Sequence, residues 1–536
     1  MNWPAEFVSM YQTVFGVEAW QHYVDQAKEA PLRGLRVNTL RPAVESLRSA
    51  ASVEPVPWWN DAGLIAPNIA AGKDPFHAAG AYYLQEPSAM SPVAALAPMP
   101  GERILDLCAA PGGKATQIAQ RLAGQGLLVA NDPVRERCDA LAENVERLGI
   151  VNACVTQLSP ERVAGAYPGY FDAILVDAPC SGEGMFRREP AALQQWHAGY
   201  PAACAKRQLE ILESALTSLR PGGRLVYSTC TLNPLENEWV CAELLARHPD
   251  LDLAELTLPG TEPGLTHAVL ADVLPKLPWL GYTAMMVSVA PGSTATGSAP
   301  PALERTRRIM PHGELGEGHF FACFTRSDSA TDRATDRATD DSHNFRRQSV
   351  TVATRAGSDP RAREFIAAWE AFCVENLSAS EKWALSDAPT LLLSGVTLLA
   401  AADHRAPAHG VLRNGLPLLT RPYRQFMPTH ALAHTLPPAR RTLRLKYGDK
   451  AALAYLRGEE LTLEPGEDGW TLVLIDGLPL GWGKAVAGKL KNHYPKGLRG
   501  EHAFAWQDKG AKERESAGTQ AFHPKTTCNL SDKMRD

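Results

Sequence analysis

The chain has 536 residues, 45% of them hydrophobic and 21% charged, with a formal net charge of −5. That length exceeds the roughly 100–200 residues one core usually serves, so three or four units are expected. The start at Met1 has no basic stretch leading into an apolar run, and no segment reaches the roughly 18 uninterrupted apolar residues of a membrane span. The ten cysteines lack the density of a secreted disulfide scaffold and read as reduced thiols in a cytosol.

Residues up to about Met90 mix apolar and polar segments, and 1–95 reads as an N-terminal extension. From Arg103 the pattern becomes α/β. Ile104–Leu107 is a short apolar strand entering a Gly-rich turn, and Lys114–Leu122 the helix behind it. Leu127–Ala130 is a second strand, followed by a helix from Val134 to Leu148 and then Gly149. Ala173–Asp177 is a third strand. A helix over Gln208–Leu219, a turn at Pro221-Gly222-Gly223 and a strand over Arg224–Ser228 complete the pattern. Strands alternating with helices of this length predict a mostly parallel, doubly wound sheet, which binds ligands at the carboxyl ends of its strands. The small polar stretch 291–301 reads as an insertion. The tandem repeat 331–340 lies in an expected linker, 328–350, dividing a catalytic unit over 96–327 from a C-terminal region over 351–499. Residues 500–536 are polar, with little periodicity, and are expected to be disordered.

Three motifs carry chemistry. The first runs from Asp106 through Cys108, Ala109, Ala110, Pro111, Gly112 and Gly113 to Lys114, between a strand and a helix. Glycine after a strand lets a ligand approach the backbone, and a helix N-terminus favours carboxylate or phosphate. A P-loop is excluded, because Cys108 and Ala115 stand where it needs glycine and a hydroxyl residue. Asp132, after the next strand, is placed to bind a ribose, although alone it would read as a helix cap. The second motif, Asp177-Ala-Pro-Cys180-Ser, and the third, Tyr227-Ser-Thr-Cys230-Thr, each follow a buried strand. Two thiols at the same end of two strands suit the methylation of cytosine C5. That carbon is a poor nucleophile until a thiolate adds at C6, and a second group must later help the adduct release.

With these motifs in place, the chain resembles the Nop/Sun family of RNA cytosine-5 methyltransferases, and along its whole length the bacterial branch that modifies 16S ribosomal RNA. Arg36–Arg41, Tyr83–Ser88, Met310–His312 and Gly316–Phe320 match further motifs of that family, and Arg421–Arg499 its C-terminal part. The resemblance implies a Rossmann-like class I methyltransferase core with an N-terminal extension and a C-terminal α+β, PUA-like RNA-binding region. It implies S-adenosylmethionine as cofactor, ribosomal RNA as partner, no metal and a cytoplasmic enzyme. Cys230 would be the nucleophile and Cys180 the thiol assisting release. Asp177 would meet the cytosine N3/N4 edge with Lys114 beside it, and Cys108 to Lys114, Asp132 and Asp177 would serve the cofactor. Where many members carry an acidic pair near the adenine, this chain has Thr156-Gln157-Leu158-Ser159, so Gln157 alone could take that role. Transfer-RNA and 23S enzymes share the core motifs, and a non-catalytic RNA-binding assembly factor is the rival of another class. The C-terminal part favours the small-subunit RNA, and the paired thiols favour an enzyme.

From Lys484 to Arg499 there are five basic residues, one histidine and no acid. Lys484, Lys489, Lys491, Lys496 and Arg499 are expected to meet phosphate. Trp482, His493 and Tyr494 would offer faces to unpaired bases.

Overall fold

The computed structural model describes residues 2–42, 54–65, 69–280, 302–311, 316–328, 360–378, 391–407, 409–464 and 466–506. The insertion at 291–301, the repeat at 331–340, His312 and the tail from 507 onward lie outside the described residues. No described helix is long and apolar enough to cross a membrane.

The chain opens with helices α1 (Ala5–Phe15) and α2 (Val17–Gln26) and an antiparallel sheet ordered β2-β3-β1-β4, made of β1 (Arg33–Val37), β2 (Glu54–Val56), β3 (Trp59–Ile65) and β4 (Tyr82–Gln85). Phe7 of α1 packs edge-on against Phe186 and Trp196 of the central domain, at 5.1 and 6.0 Å between ring centroids. Aromatic packing of this kind holds a small element firmly to a larger body.

The central domain is built on β5 (Arg103–Asp106), β6 (Leu127–Asn131), β7 (Ala153–Thr156), β8 (Phe171–Asp177) and β9 (Leu219–Thr229). These pair in parallel in the order β9-β8-β5-β6-β7. Their Val/Ile/Leu/Ala-rich sequences suit burial on both faces, the condition of a parallel sheet. Two hydrophobic cores lie on its two sides. Helix α3 (Gly113–Leu122) follows β5, α4 (Arg135–Arg147) follows β6, and α5 (Tyr200–Ser218) precedes β9. The last helix starts at Tyr200, earlier than its apolar spacing suggests. The expected Pro221-Gly222-Gly223 turn is instead an irregularity inside β9: Leu219 pairs with Phe171 and Arg224 with Ala173, the extra residues bulging between them. The sheet claims Leu219 as soon as the helix ends, so the turn, with Gly222 at φ +68°, sits inside the strand as a bulge.

Three long-range features were not legible in the sequence. Strand His319–Arg326 runs antiparallel beside β9 and carries the Gly-His-Phe motif to the site. Strand Val411–Asn414, from the C-terminal region, extends the catalytic sheet by pairing with β7. Finally, the N-terminal sheet and the five-stranded C-terminal sheet over 442–492 share one core, in which Leu35, Phe76 and Tyr82 pack with Tyr455, Leu456 and Trp506. The first residues of the expected tail close this seam. Ala505 N–H donates to Asp74 Oδ2 at 2.7 Å, Trp506 N–H to Tyr447 Oη at 2.9 Å, and the Trp506 indole to Tyr82 Oη at 3.3 Å. Order therefore extends past residue 500, because Trp506 is buried and its polar atoms are satisfied.

Candidate active site

The parallel strands deliver their ends to one edge. After β5 the chain turns back on itself. Ala109 N–H donates to Asn131 O at 2.7 Å and Gly112 N–H to Ala109 O at 2.8 Å. Gly112 takes φ +114°, a left-handed conformation that glycine adopts at little cost. Asp106, at the mouth of this turn, is fully buried. No donor reaches either carboxylate oxygen with hydrogen-bond geometry, and the Cys108 N–H only approaches. Burial and the charge of Asp177 push Asp106 up to about 8, against the pull of Lys114. An unpartnered buried carboxyl is costly, by about 1–3 kcal/mol. A cationic group, such as the ammonium of a methionyl moiety, would supply what it lacks. By that test the turn fits S-adenosylmethionine.

Asp132 is buried at the end of β6. Its Oδ1 accepts the Val134 N–H at 3.0 Å, capping the approach to α4, and Oδ2 lies 3.3 Å from an Arg137 guanidinium nitrogen without a bonded donor. Asp132 thus braces the turn before α4 with one oxygen, and the other faces Arg137 without a hydrogen bond. Gln157 is half-buried after β7. Its amide reaches Pro133 O at 3.5 Å and its backbone N–H donates to Gly410 O at 2.7 Å, so the C-terminal region borders this end of the site.

Because β8 and β9 are neighbours with Asp177 opposite Ser228, the loops after them run side by side. The Cys180 and Cys230 sulfurs lie 3.3 Å apart. Gly184 N–H donates to Cys230 O at 2.8 Å, and a Cβ on Gly184 would sit 2.7 Å from that oxygen, so only glycine permits this approach. The hydrogen bond to Cys230, with burial, pushes the Cys180 thiol up. Beside the sulfurs, Lys114 Nζ pairs with Asp177 Oδ2 at 2.7 Å, and Ser228 Oγ donates to Asp177 Oδ1 at 2.8 Å. Burial alone would raise Asp177, but the Lys114 ammonium and His319 hold it well below the usual carboxylate range. Burial opposes the charge on Lys114 in turn, yet Asp177 and the nearby Cys230 keep it protonated.

Several residues here escaped the sequence reading. His319 is buried with Nε2 3.6 Å from Asp177 Oδ1, and burial and Lys114 lower it. Asp106 opened a motif but gave no sign that its carboxyl would lack a partner. Glu236, which ties the two cysteine loops together, carried no signal in a single sequence. The N-terminal helices also reach the site: Tyr23 Oη donates to Glu183 O at 3.3 Å. Arg187, paired with Glu317 at 2.7 and 2.8 Å, donates to Gln26 O at 2.9 Å.

In the basic block the structure corrects the aromatic expectations. Tyr494 is 4% exposed and Trp482 2%. Tyr494 packs against His430 and Tyr455 at 5.3 and 5.6 Å, and the Trp482 indole donates to Thr429 O at 3.0 Å. Both serve the core and cannot stack on a base, since Trp482 lies on the inward side of its strand and Tyr494, in the bend after the last strand, folds into the core. The exposed aromatic group is instead His493 against Trp470, at 4.6 Å, with Lys484 Nζ 5.7 Å from the Trp470 ring centroid. Lys491 and Lys496 are exposed. Lys489 is paired with Glu460 at 2.9 Å, and Arg499 donates to Tyr494 O at 3.1 and 3.2 Å.

Comparison with known proteins agrees with this architecture. Residues 93–325 match the family described as 16S rRNA methyltransferase RsmB/F, residues 3–87 the N-terminal domain of 16S rRNA methyltransferase RsmF, and residues 442–500 the methyltransferase RsmF PUA domain. The chain is 30% identical to the ribosomal RNA small subunit methyltransferase F of Pectobacterium atrosepticum over 513 residues, covering 92% of this chain and 95% of that protein. With the protein of that name from Citrobacter koseri it is 42% identical over 267 residues, and that match spans little more than half, 56%, of the relative. A methyltransferase homolog from Pyrococcus horikoshii, of known structure, is 29% identical with a TM-score of 0.48, covering 61% of this chain and 96% of that one. On the full-length match and the three domain matches, the chain belongs to the RsmB/F family of 16S rRNA methyltransferases.

Proposed function

We propose that this chain methylates C5 of a cytosine in 16S ribosomal RNA, in the cytosol, with Cys230 as nucleophile and Cys180 as the group that assists release. The observation that carries the reading is the 3.3 Å approach of two thiols at the ends of adjacent strands, beside a buried Lys114–Asp177 pair. S-adenosylmethionine, when bound, supplies an electrophilic methyl group. Asp106, Cys108 to Lys114, Asp132 and Gln157 would hold it, with Asp106 receiving the ammonium and Asp132 Oδ2, which faces Arg137 without a hydrogen bond, receiving a ribose hydroxyl.

The two thiols divide the work between them. In the resting pair Cys180 keeps its proton, because the bond to Cys230 raises it. Cys230 must attack as the thiolate, and the Lys114 ammonium lies within electrostatic reach of its sulfur. Addition of Cys230 at C6 makes C5 nucleophilic. Asp177, held ionised, can accept from the cytosine N4 amino group while Lys114 donates to N3. Once Cys230 has become a thioether, the main influence raising Cys180 is gone. Cys180 can then release its own proton to water, and as a thiolate it accepts the C5 proton, so that the electron pair of the C5–H bond forms the C5–C6 double bond, the C6–S bond breaks, and Cys230 leaves as a thiolate. The target cytosine must be unstacked to reach the strand ends.

The test is a denaturing gel of each variant incubated with small-subunit RNA and S-adenosylmethionine. Cys180→Ala should accumulate a covalent protein–RNA band, and the double variant with Cys230→Ala should show none. A Cys180→Ala enzyme that turns over normally without trapped RNA would remove Cys180 from the mechanism. An adduct that survives Cys230→Ala would move the nucleophile.

A further inference from the structure

We propose that Glu236 is a positioning residue that holds the Cys180 and Cys230 loops at their working separation. The inference rests on the two-thiol reading above. Glu236 is fully buried, and each of its carboxyl oxygens is shared between two partners. Oε2 accepts the Ser181 backbone N–H at 2.9 Å and the Gln208 amide at 3.0 Å. Oε1 accepts the Ser181 hydroxyl and, at 3.3 Å, the Thr231 hydroxyl, while the two hydroxyls lie 2.7 Å from each other. Ser181 follows Cys180 directly and Thr231 follows Cys230 directly. One carboxyl therefore ties together the residues next to both thiols, and Gln208 anchors it to α5 while also donating to Pro179 O at 3.1 Å.

The need for such a tie is physical. β8 and β9 set the two loops side by side, but the last strand pair is Asp177 with Ser228, so the ladder stops before either sulfur. Beyond the ladder, the Gly184 N–H to Cys230 O bond pins the far part of the Cys180 loop, and the part next to the thiol is held through Glu236. Tyr227 Oη donates to the Glu236 carbonyl at 2.5 Å, which fixes the backbone from which the carboxyl reaches out. Burial and the charge of Glu183 push Glu236 up to about 8, with the Ser181 bonds and Gln208 opposing. A carboxyl that keeps its proton can donate to a hydroxyl on one oxygen and accept N–H groups on the other. Glutamine has the same pattern: its amide can donate to the two hydroxyls while its oxygen accepts from Ser181 and Gln208. Glu236→Gln should thus preserve the tie, and Glu236→Ala should break it.

The experiment uses full-length protein and two readouts. In the first, without RNA, diamide oxidises the two thiols to a disulfide and is itself reduced, and the Cys180–Cys230 link is mapped by mass spectrometry. Wild type and Glu236→Gln should link at similar rates, and Glu236→Ala at least about tenfold more slowly, in the range of losses from outer supporting residues. Ser181→Ala combined with Thr231→Val, which cuts the carboxyl from both loops and leaves Glu236 in place, should slow linking in the same way. In the second readout, with RNA and S-adenosylmethionine, Glu236→Ala should accumulate the covalent band, and Glu236→Gln should release it. Linking at the wild-type rate in Glu236→Ala or in the double variant would overturn the proposal. So would a loss of adduct and turnover in Glu236→Ala that merely follows loss of folded protein. The linking assay involves no methylation, so its failure speaks against Glu236 alone. A missing adduct in Cys180→Ala speaks against the two-thiol mechanism alone.

Discussion

Cofactor binding should depend on pH through Asp106. Its carboxyl, raised to about 8 by burial and by Asp177, keeps its proton at neutral pH in the free enzyme. Pairing with an ammonium requires it to ionise, so binding expels a proton. Affinity should rise with pH up to about 8 and then level off. One proton per ligand means about a decade in affinity per pH unit well below 8, ~1.4 kcal/mol, or about 50-fold between pH 6 and 8, where the carboxyl is half ionised. The neighbouring groups do not blur this window. Lys114 is raised and stays charged, Asp177 is held ionised, and His319 is lowered and stays neutral. The assay is calorimetry with S-adenosylhomocysteine, which carries the same amino group, in two buffers of different ionisation enthalpy, so that released protons are counted. Asp106→Asn should abolish the proton release and flatten the profile. It should also weaken binding above pH 8 by the loss of a charge-assisted bond, about 1.5–3 kcal/mol or roughly 10- to 150-fold. Proton-neutral binding with a flat wild-type profile would refute the placement of the ammonium on Asp106.

Two further outcomes test the C-terminal region and its seam. Lys484→Glu with Lys491→Glu should weaken RNA binding and lower the slope of log affinity against log salt, as measured by filter binding, by about 0.7 for each phosphate no longer neutralised. Unchanged affinity and slope would make this a solvated face. Trp506→Ala should cost about 3–5 kcal/mol in denaturant unfolding, the range for emptying a buried tryptophan site, because the ring lies in the core shared by the N- and C-terminal regions. A loss under about 1 kcal/mol would mean that the seam carries little stability.

The sequence by itself determined the parallel sheet, the cofactor turn and the two thiols, because these are local matters. A short apolar run, a glycine where the backbone turns left-handed and a cysteine directly after a strand leave their mark within a dozen residues. That Cys180 and Cys230 stand at one end of one sheet followed from strand polarity alone. Their 3.3 Å separation did not, since it depends on β8 lying next to β9 and on Glu236 beyond the ladder. Other features were decided only by tertiary structure. Tyr494 and Trp482 sit among cations in the sequence and looked available to RNA, yet both face inward. Strand Val411–Asn414 joins a sheet that begins with Arg103, and Trp506 closes a core with Tyr82. Such pairings span hundreds of residues, and no local pattern records them. Which face of a strand is buried depends on what packs against it, and for Trp482 that partner is Phe372 and its neighbours, more than a hundred residues earlier.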